Sequence, residues 1–211
     1  MFNQRGDFMK KHIIFTLIVS LLSVGMIDSA MNSEFKASEI TLQELQEQKK
    51  IQELELKKLE EERIQQYHDD ELQRFLSDIG FRESGNRYDI TNQWGYMGKY
   101  QFGKSTLKGL GFRVSKNEFL SNPQLQEEAM MALLLHNKEK LQLYIDTFDG
   151  KTINGMLVTE SGILAAAHLG GQGSVKRYFK NGKVFRDGNG TKITSYMKQF
   201  SGYDIKLKPN S

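Results

Sequence analysis

The spacing of apolar positions along the chain predicts a mainly helical protein. Apolar residues recur at the three- and four-residue intervals of a helix with one buried face between residues 71 and 79: Leu72, Phe75, Leu76 and Ile79. The same spacing runs from Pro123 to about Phe148, and a shorter apolar run covers Glu160 to Leu169. Residues 86–103 carry too many glycines and turn-forming residues for regular structure.

Capping residues place the ends of these helices. Ser115 with Glu118 forms a capping box, and Asn122 followed by Pro123 predicts a second helix start. Thr159 caps the short apolar run, and glycines end it at residues 170, 171 and 173. Turn residues at 181–182 and 187–190 predict one small hairpin near them, before a last helix at Ser195–Phe200.

Residues 31–70 form a charged segment that precedes this pattern. They are rich in Glu, Gln, Lys and Leu and contain neither Gly nor Pro, which favours helix. A heptad register that places Leu42 and Leu56 at core positions also places Lys49 and Arg63 there, so the coiled-coil seam is poor. We expect a solvated helical spacer with at most weak self-association.

The N-terminus is typical of a targeting segment. Arg5, Lys10 and Lys11 precede an uncharged stretch of 15 residues, Ile13–Ile27, which is followed by small residues. This layout predicts a signal peptide over residues 1–30, or alternatively a retained N-terminal anchor, and places the protein in the periplasm or cell envelope, or outside the cell. The remaining predicted parts are a domain at 71–205 and a tail at 206–211.

Composition and charge limit the chemistry. The chain has 211 residues and no cysteine, which excludes disulfides, thiolate metal sites and cysteine nucleophiles. Residues 34–74 hold 12 acidic and 7 basic residues, whereas residues 171–211 hold 9 basic and 2 acidic ones. The basic end is either a solvated lysine-rich surface or a site for a polyanion. No spacing of histidines and carboxylates indicates a metal site.

Glu83 is the strongest candidate for chemistry. It follows the apolar positions of residues 72–79 and precedes a Gly-rich aromatic segment, Gly95–Gly103. Apolar surroundings favour the protonated form of a carboxyl group, which can then donate its proton to a leaving oxygen. Aromatic rings and glycine-exposed amides suit a groove that binds sugars.

Three ordered motifs resemble the lytic transglycosylase branch of the lysozyme-like superfamily. They are Glu83-Ser84, the turn from Gly95 and Gly98 to Tyr100-Gln101, and the helix end Ala165–Gly170. The resemblance covers about residues 72–203, and the interval between Glu83 and Gln101 fits the family. In the third motif, Ala167 and His168 stand where the family usually has Tyr and Asn.

The resemblance implies a small lysozyme-like helical domain with a cleft. It also implies cleavage of bacterial peptidoglycan between N-acetylmuramic acid and N-acetylglucosamine, with Glu83 as the only acid/base and 1,6-anhydromuramic ends as products. No cofactor and no nucleic acid is expected, and the basic end would bind anionic wall polymers. The substrate-binding residues implied by the motifs are Ser84, Tyr96, Tyr100, Gln101 and His168.

Alternative functions remain open at this point. A hydrolytic lysozyme would usually need a second carboxylate, for which Asp89 and Glu160 are candidates. Glu160 also fits a simpler role as an acidic residue in the first turn of a capped helix. A non-catalytic wall-binding module and a helical adaptor are the other two classes.

Overall fold

A computed structural model describes residues 42–207 and confirms that the protein is mainly helical. Helix α1 spans Leu42–Ser84, α2 Lys104–Gly109, α3 Lys116–Ser121 and α4 Pro123–Phe148. Two short strands follow, β1 at Thr152–Ile153 and β2 at Met156–Leu157. The chain then forms α5 at Glu160–Gly170, α6 at Gln172–Asn181 and α7 at Ile193–Gln199.

The predicted targeting segment and part of the spacer lie outside the described residues, as do residues 208–211. Within residues 42–207, no helix is long and apolar enough to cross a membrane. By its internal contacts the chain divides into Met1–Lys57 and Lys58–Ser211. The boundary predicted between residues 70 and 71 lies within α1, which is continuous there.

Helix α1 changes character along its length. Its side chains are exposed from residue 45 to residue 64, including apolar ones such as Leu54 and Leu59. Farther along, Phe75 and Ile79 are fully buried, as the apolar spacing predicts. The first part is therefore the solvated helix that its composition indicates, and the second part belongs to a hydrophobic core.

Helix α5 is the centre of that core. Every residue from Ser161 to Ala167 is buried, and the helix packs against α4, α6 and α7. A helix that is apolar on all sides is expected at such a place. The largest fully buried side chains around it come from the other helices and the glycine-rich turn, namely Phe75, Ile79, Tyr100, Phe119, Met130, Leu134, Leu141, Ile193, Met197 and Phe200.

The predicted caps are present. Ser115 and Glu118 form the reciprocal capping box, Asn122 caps α4 with Pro123 in its first turn, and the Thr159 hydroxyl accepts from the backbone N–H of Gly162.

The strands pair antiparallel with Ile153 opposite Met156. This hairpin does not lie near residues 181–190, where it was predicted. A single bridge, between Arg186 and Lys192, closes the second of those turns.

Candidate active site

The catalytic candidate lies in the last turn of α1. Gly85, at a φ of 67°, stops the helix directly after Ser84, and its N–H donates to the carbonyl of Phe81. The Ser84 hydroxyl is buried and donates to the carbonyl of Lys99 at 2.8 Å, and it accepts from the N–H of Arg87 at 3.0 Å. These bonds fix the end of α1, and with it Glu83, to the Gly-rich turn.

Gln126 of α4 also holds the Gly-rich turn in place, through hydrogen bonds from its side chain. The Gln126 carboxamide accepts from the N–H of Lys99 at 2.8 Å and donates to the carbonyls of Tyr88 and Phe119 at 2.9 and 2.8 Å. A Cβ on Gly98 would lie 2.0 Å from Gln126 Oε1, and Gly98 has a φ of 72°. Glycine is therefore required at this position on both counts.

Tyr100 belongs to a partly buried polar cluster behind this turn. Its ring is fully buried, and its hydroxyl donates to Glu127 Oε2 at 2.5 Å. Lys99 Nζ lies 2.8 Å from Glu127 Oε1, and the Tyr88 hydroxyl donates to the same oxygen at 2.6 Å. Burial raises the pKa of Glu127, but the bonds from Lys99, Tyr100 and Tyr88 outweigh it and hold that pKa below its ordinary value.

Glu83 itself is held by α7 and faces α5. Tyr196 of α7 donates its hydroxyl proton to Glu83 Oε1 at 2.5 Å, and His168 Nε2 of α5 lies 3.7 Å from the same oxygen. The Arg82 guanidinium stands 4.4 Å from the centre of the Tyr196 ring. Only 16% of the Glu83 side chain and 7% of the His168 side chain are exposed, so both groups are largely shielded from solvent.

The protonation states of both neighbours follow from burial. Burial lowers the pKa of His168, and the negative charge of Glu83 and the carbonyl of Tyr100 oppose this shift without reversing it. His168 is therefore neutral near neutral pH. Burial, and then the charge and hydrogen bond of Glu83, raise the pKa of Tyr196, so its hydroxyl remains a proton donor.

Close packing of α5 against α7 brings Tyr196 to Glu83. A Cβ on Gly162 of α5 would lie 2.4 Å from the backbone carbonyl oxygen of Met197. Only a glycine permits the two backbones to approach so closely. Tyr196 precedes Met197, so this close contact lies directly beside the residue whose hydroxyl reaches Glu83.

A cleft of about 610 Å³ opens beside Glu83. One part of its wall comes from the segment 92–103, where Trp94 and Tyr96 are about half exposed. Other parts come from α4, from the junction of α5 and α6, and from the turn at Asp187–Asn189. Half-exposed aromatic rings beside amide and carboxylate groups form a surface that suits a sugar chain.

The cleft contains four of the eight residues predicted to form the site: Glu83, Tyr96, Gln101 and His168. Ser84 and Tyr100 lie outside its lining, because their hydroxyl groups are buried and bonded to Lys99 and Glu127. The structure places both hydroxyl groups behind the cleft wall, where they hold the Gly-rich turn in position. Gln101, at a φ of 52°, lines the cleft and donates its amide to the carbonyl of Gly98.

Neither candidate for a second carboxylate lies in the cleft. Asp89 is exposed outside its lining, and Glu160 makes an ion pair with Lys138 at 2.8 Å. The cleft contains a different second carboxylate, Asp187. Its Oδ1 accepts from the N–H groups of Asn189 and Thr191 at 2.9 and 2.6 Å, which builds the turn.

Sequence reasoning missed Tyr196 and Asp187 as site residues. Tyr196 lies 113 positions from Glu83 in the chain and belongs to no motif that was noted. The sequence around Asp187 indicates a turn and gives no sign of a role in the site. Within residues 42–207, no group of three or more His, Asp or Glu side chains is placed to hold a metal ion.

A scan against protein-family models, a search of curated proteins and a search of solved structures each found no significant match to this chain. The function proposed below rests on the geometry around Glu83, together with the motif resemblance.

Proposed function

We propose that the protein cleaves the glycan strands of bacterial peptidoglycan, with Glu83 as the only acid/base. The observation that carries this proposal is the placement of Glu83. Its carboxylate lies in a cleft with aromatic walls, its Oε1 is held by Tyr196, and the adjacent His168 is neutral. The motif resemblance supplies the substrate class and a lysozyme-like fold, which are both part of the proposal.

The first step transfers a proton from the Glu83 carboxyl group to the oxygen between N-acetylmuramic acid and N-acetylglucosamine. The bond from that oxygen to the muramic anomeric carbon breaks, and the glucosamine end leaves as an alcohol. A neutral His168 suits this step, since a charged imidazole would stabilise the Glu83 carboxylate and hinder its protonation. Tyr196 occupies Oε1 and leaves Oε2 without a hydrogen bond among the described residues.

The second step closes a ring on the muramic sugar. The Glu83 carboxylate removes the proton of the 6-hydroxyl group, whose oxygen bonds to the anomeric carbon and gives a 1,6-anhydro sugar. The proton returns to Glu83, so neither water nor a redox cofactor is consumed. This outcome agrees with the positions of Asp89 and Glu160, which lie outside the cleft.

A hydrolytic muramidase is the second candidate, and Asp187 favours it. Glycoside hydrolases usually pair a carboxylic acid with a second carboxylate that serves as nucleophile or activates water. Asp187 lines the same cleft as Glu83, and its Oδ2 has no hydrogen bond among the described residues. Hydrolysis would yield reducing ends in place of anhydro ends.

The decisive experiment digests purified peptidoglycan with the wild type and with Glu83→Gln. The amide keeps an oxygen for Tyr196 but cannot donate and remove the proton, so we expect a loss of about 10²- to 10⁴-fold. Glu160→Gln, whose carboxylate pairs with Lys138 outside the cleft, is the matched control and should cleave normally.

Mass spectrometry of the products separates the two reactions. Anhydromuramic ends support ring closure. Reducing ends that disappear in Asp187→Asn, which retains the Oδ1 acceptor of the turn, would identify a hydrolase. Near-normal cleavage by a folded Glu83→Gln variant would refute both. A substrate outside the cytoplasm also agrees with the predicted export segment, and we propose the cell envelope as the site of action.

A further inference from the structure

The N-terminus of α6 opens into the cleft without a cap. Gly171, at a φ of 73°, is the residue before α6 and has no side chain with which to accept a hydrogen bond. The first N–H groups of a helix have no partner within it, so those of Gln172 and Gly173 are left free. Gly171 and Gln172 both line the cleft, so this helix end borders the space in which a molecule would bind.

A buried amide next to this helix end is also without a partner. Asn137 of α4 lines the same cleft, only 2% of it is exposed, and its Nδ2 has no hydrogen-bond partner among the described residues. Its neighbour His136 lies against Gln172, with 3.4 Å between their Nε2 atoms, which joins α4 to the start of α6. Buried amides without a partner are rare in folded proteins, and this one indicates a missing acceptor.

The free groups at this helix end, the two backbone N–H groups and Asn137 Nδ2, are donors, so their missing partner is an acceptor. Amide donors and the positive end of a helix dipole favour a negatively charged oxygen over a neutral one. Elsewhere in the cleft an anion would face the carboxylates of Glu83 and Asp187. A carboxylate is therefore best accommodated at the α6 end, where Leu133 and Leu169 offer apolar surface for the carbon to which it is attached.

We propose that Asn137 and the N-terminus of α6 form a subsite for a carboxylate carried by the sugar strand. This inference rests on the proposed function, because muramic acid is the sugar that bears such a group. Its lactyl carboxylate is one source, and a carboxylate of an attached peptide is the other. The cleft would then distinguish muramic acid from glucosamine by charge.

Binding to the full chain with Glu83→Gln tests this subsite apart from cleavage. Three ligands are titrated by calorimetry or NMR: the disaccharide of N-acetylglucosamine and N-acetylmuramic acid, its lactyl methyl ester, and the same disaccharide bearing a dipeptide. We expect the free acid to bind roughly three- to tenfold more tightly than the ester, in proportion to a helix-end charge interaction. A preference confined to the dipeptide ligand would assign the subsite to a peptide carboxylate.

Two variants locate the preference. Gln172→Pro removes one backbone N–H at a position where helices accept proline, and Gly171 has the extended ψ of 156° that a residue before proline needs. Gln172→Ala keeps that N–H and is its matched control. Asn137→Leu removes the buried amide at similar volume. In Gln172→Pro and Asn137→Leu, the ratio of the affinity for the free acid to that for the ester should fall towards one. In Gln172→Ala this ratio should be unchanged.

Equal affinity for acid, ester and dipeptide ligands in the parent chain would overturn the subsite. So would a preference that both Gln172→Pro and Asn137→Leu leave intact. A failure of the proposed function would give a different result. The wild-type protein would then not cleave peptidoglycan, whether or not the Glu83→Gln variant prefers the free acid.

Discussion

At the scale of single residues, the contact between Tyr196 and Glu83 carries a direct test. Tyr196→Phe keeps the ring that packs near Arg82 but removes the hydroxyl that holds Glu83 Oε1. A hydrogen bond to a charged group contributes about 1.5–3 kcal/mol, so we expect wall cleavage to slow about tenfold or more.

The control for that substitution is Tyr203→Phe. The Tyr203 hydroxyl donates to Asp78, and the residue lies outside the cleft lining. This variant should cleave at the normal rate. Equal rates for Tyr196→Phe and the wild type, measured on the same peptidoglycan, would show that the Tyr196 bond does not position the proposed catalytic carboxylate.

His168 makes a prediction about pH. Its pKa in the folded protein lies below the ordinary value of 6.5, because burial disfavours the imidazolium. As pH falls below about 6.5, the unfolded chain therefore binds a proton that the folded chain excludes, and His168 reduces the stability of the fold. His168→Asn removes this contribution.

Thermal melts at about pH 7.5 and about pH 5.5 measure the effect. The fall in melting temperature between the two conditions should be smaller in His168→Asn than in the wild type. An identical fall in both proteins would mean that the folded chain accommodates the imidazolium at no cost, for example by pairing it fully with Glu83.

Local residue patterns identified Glu83 as a candidate but did not identify the residues that hold its side chain in position. An acid that follows a buried helix face and precedes a glycine-rich turn is visible within about 20 residues of sequence. Tyr196 is not, since it reaches Glu83 only through the packing of α5 against α7. Tyr100 shows a related effect: its place beside Gln101 indicates the cleft, whereas its hydroxyl bonds to the partly buried Glu127 on the other side of the turn.

At the scale of helices, Gly162 controls the distance between α5 and α7. A methyl group there would meet the backbone carbonyl of Met197, which has no flexible end to move aside. Gly162→Ala should therefore destabilise the fold by about 1–3 kcal/mol and also slow cleavage, since Tyr196 shifts with its neighbour. Denaturant unfolding and the peptidoglycan assay measure the two effects.

Gly202→Ala is the control for that variant, because a Cβ at Gly202 would meet no atom within 4 Å. It should change neither stability nor rate by much. If Gly162→Ala proved as stable and as active as Gly202→Ala, the close approach of α5 and α7 would not be needed to place Tyr196.

Helices with side-chain caps were predicted well, whereas α2 and α6, which have no side-chain cap, were missed. Ser115, Asn122 and Thr159 mark their helix starts in the sequence because their side chains make the capping bonds. Gly171 is both the C-cap of α5 and the N-cap of α6. In the sequence, this glycine indicates the end of a helix but not the start of the next one. The hairpin was misplaced because Asn154-Gly155, which makes its turn, was overlooked in favour of later turn residues.

At the scale of the whole molecule, the basic end of the domain remains a predicted wall-binding surface. Six of its basic side chains are exposed and form no ion pair among the described residues: Arg177, Lys180, Lys183, Arg186, Lys192 and Lys198. Attraction between exposed charges is screened beyond about 10 Å at roughly 0.1 M salt. Binding to whole wall sacculi should therefore weaken as salt rises, while turnover of short soluble glycans changes much less.

Charge reversal of Lys176, Arg177 and Lys180 should weaken sacculus binding in the same way. The matched control reverses Lys57 and Lys58, which are exposed in α1 and belong to the acidic segment. Sacculus binding that is indifferent both to salt and to the reversal at residues 176–180 would make the basic end an ordinary solvated surface.

Glu83 and Tyr196 lie far apart along the chain, so the site is complete only late in synthesis and folding. Synthesis releases Glu83 long before α7, and a chain that stops short of residue 193 lacks the hydroxyl that holds the acid in place. Contacts between such remote segments also form slowly in folding. The proposed wall-cleaving activity would thus be absent while the chain is nascent, unfolded or truncated, and completion of the last helix would serve as its activation step.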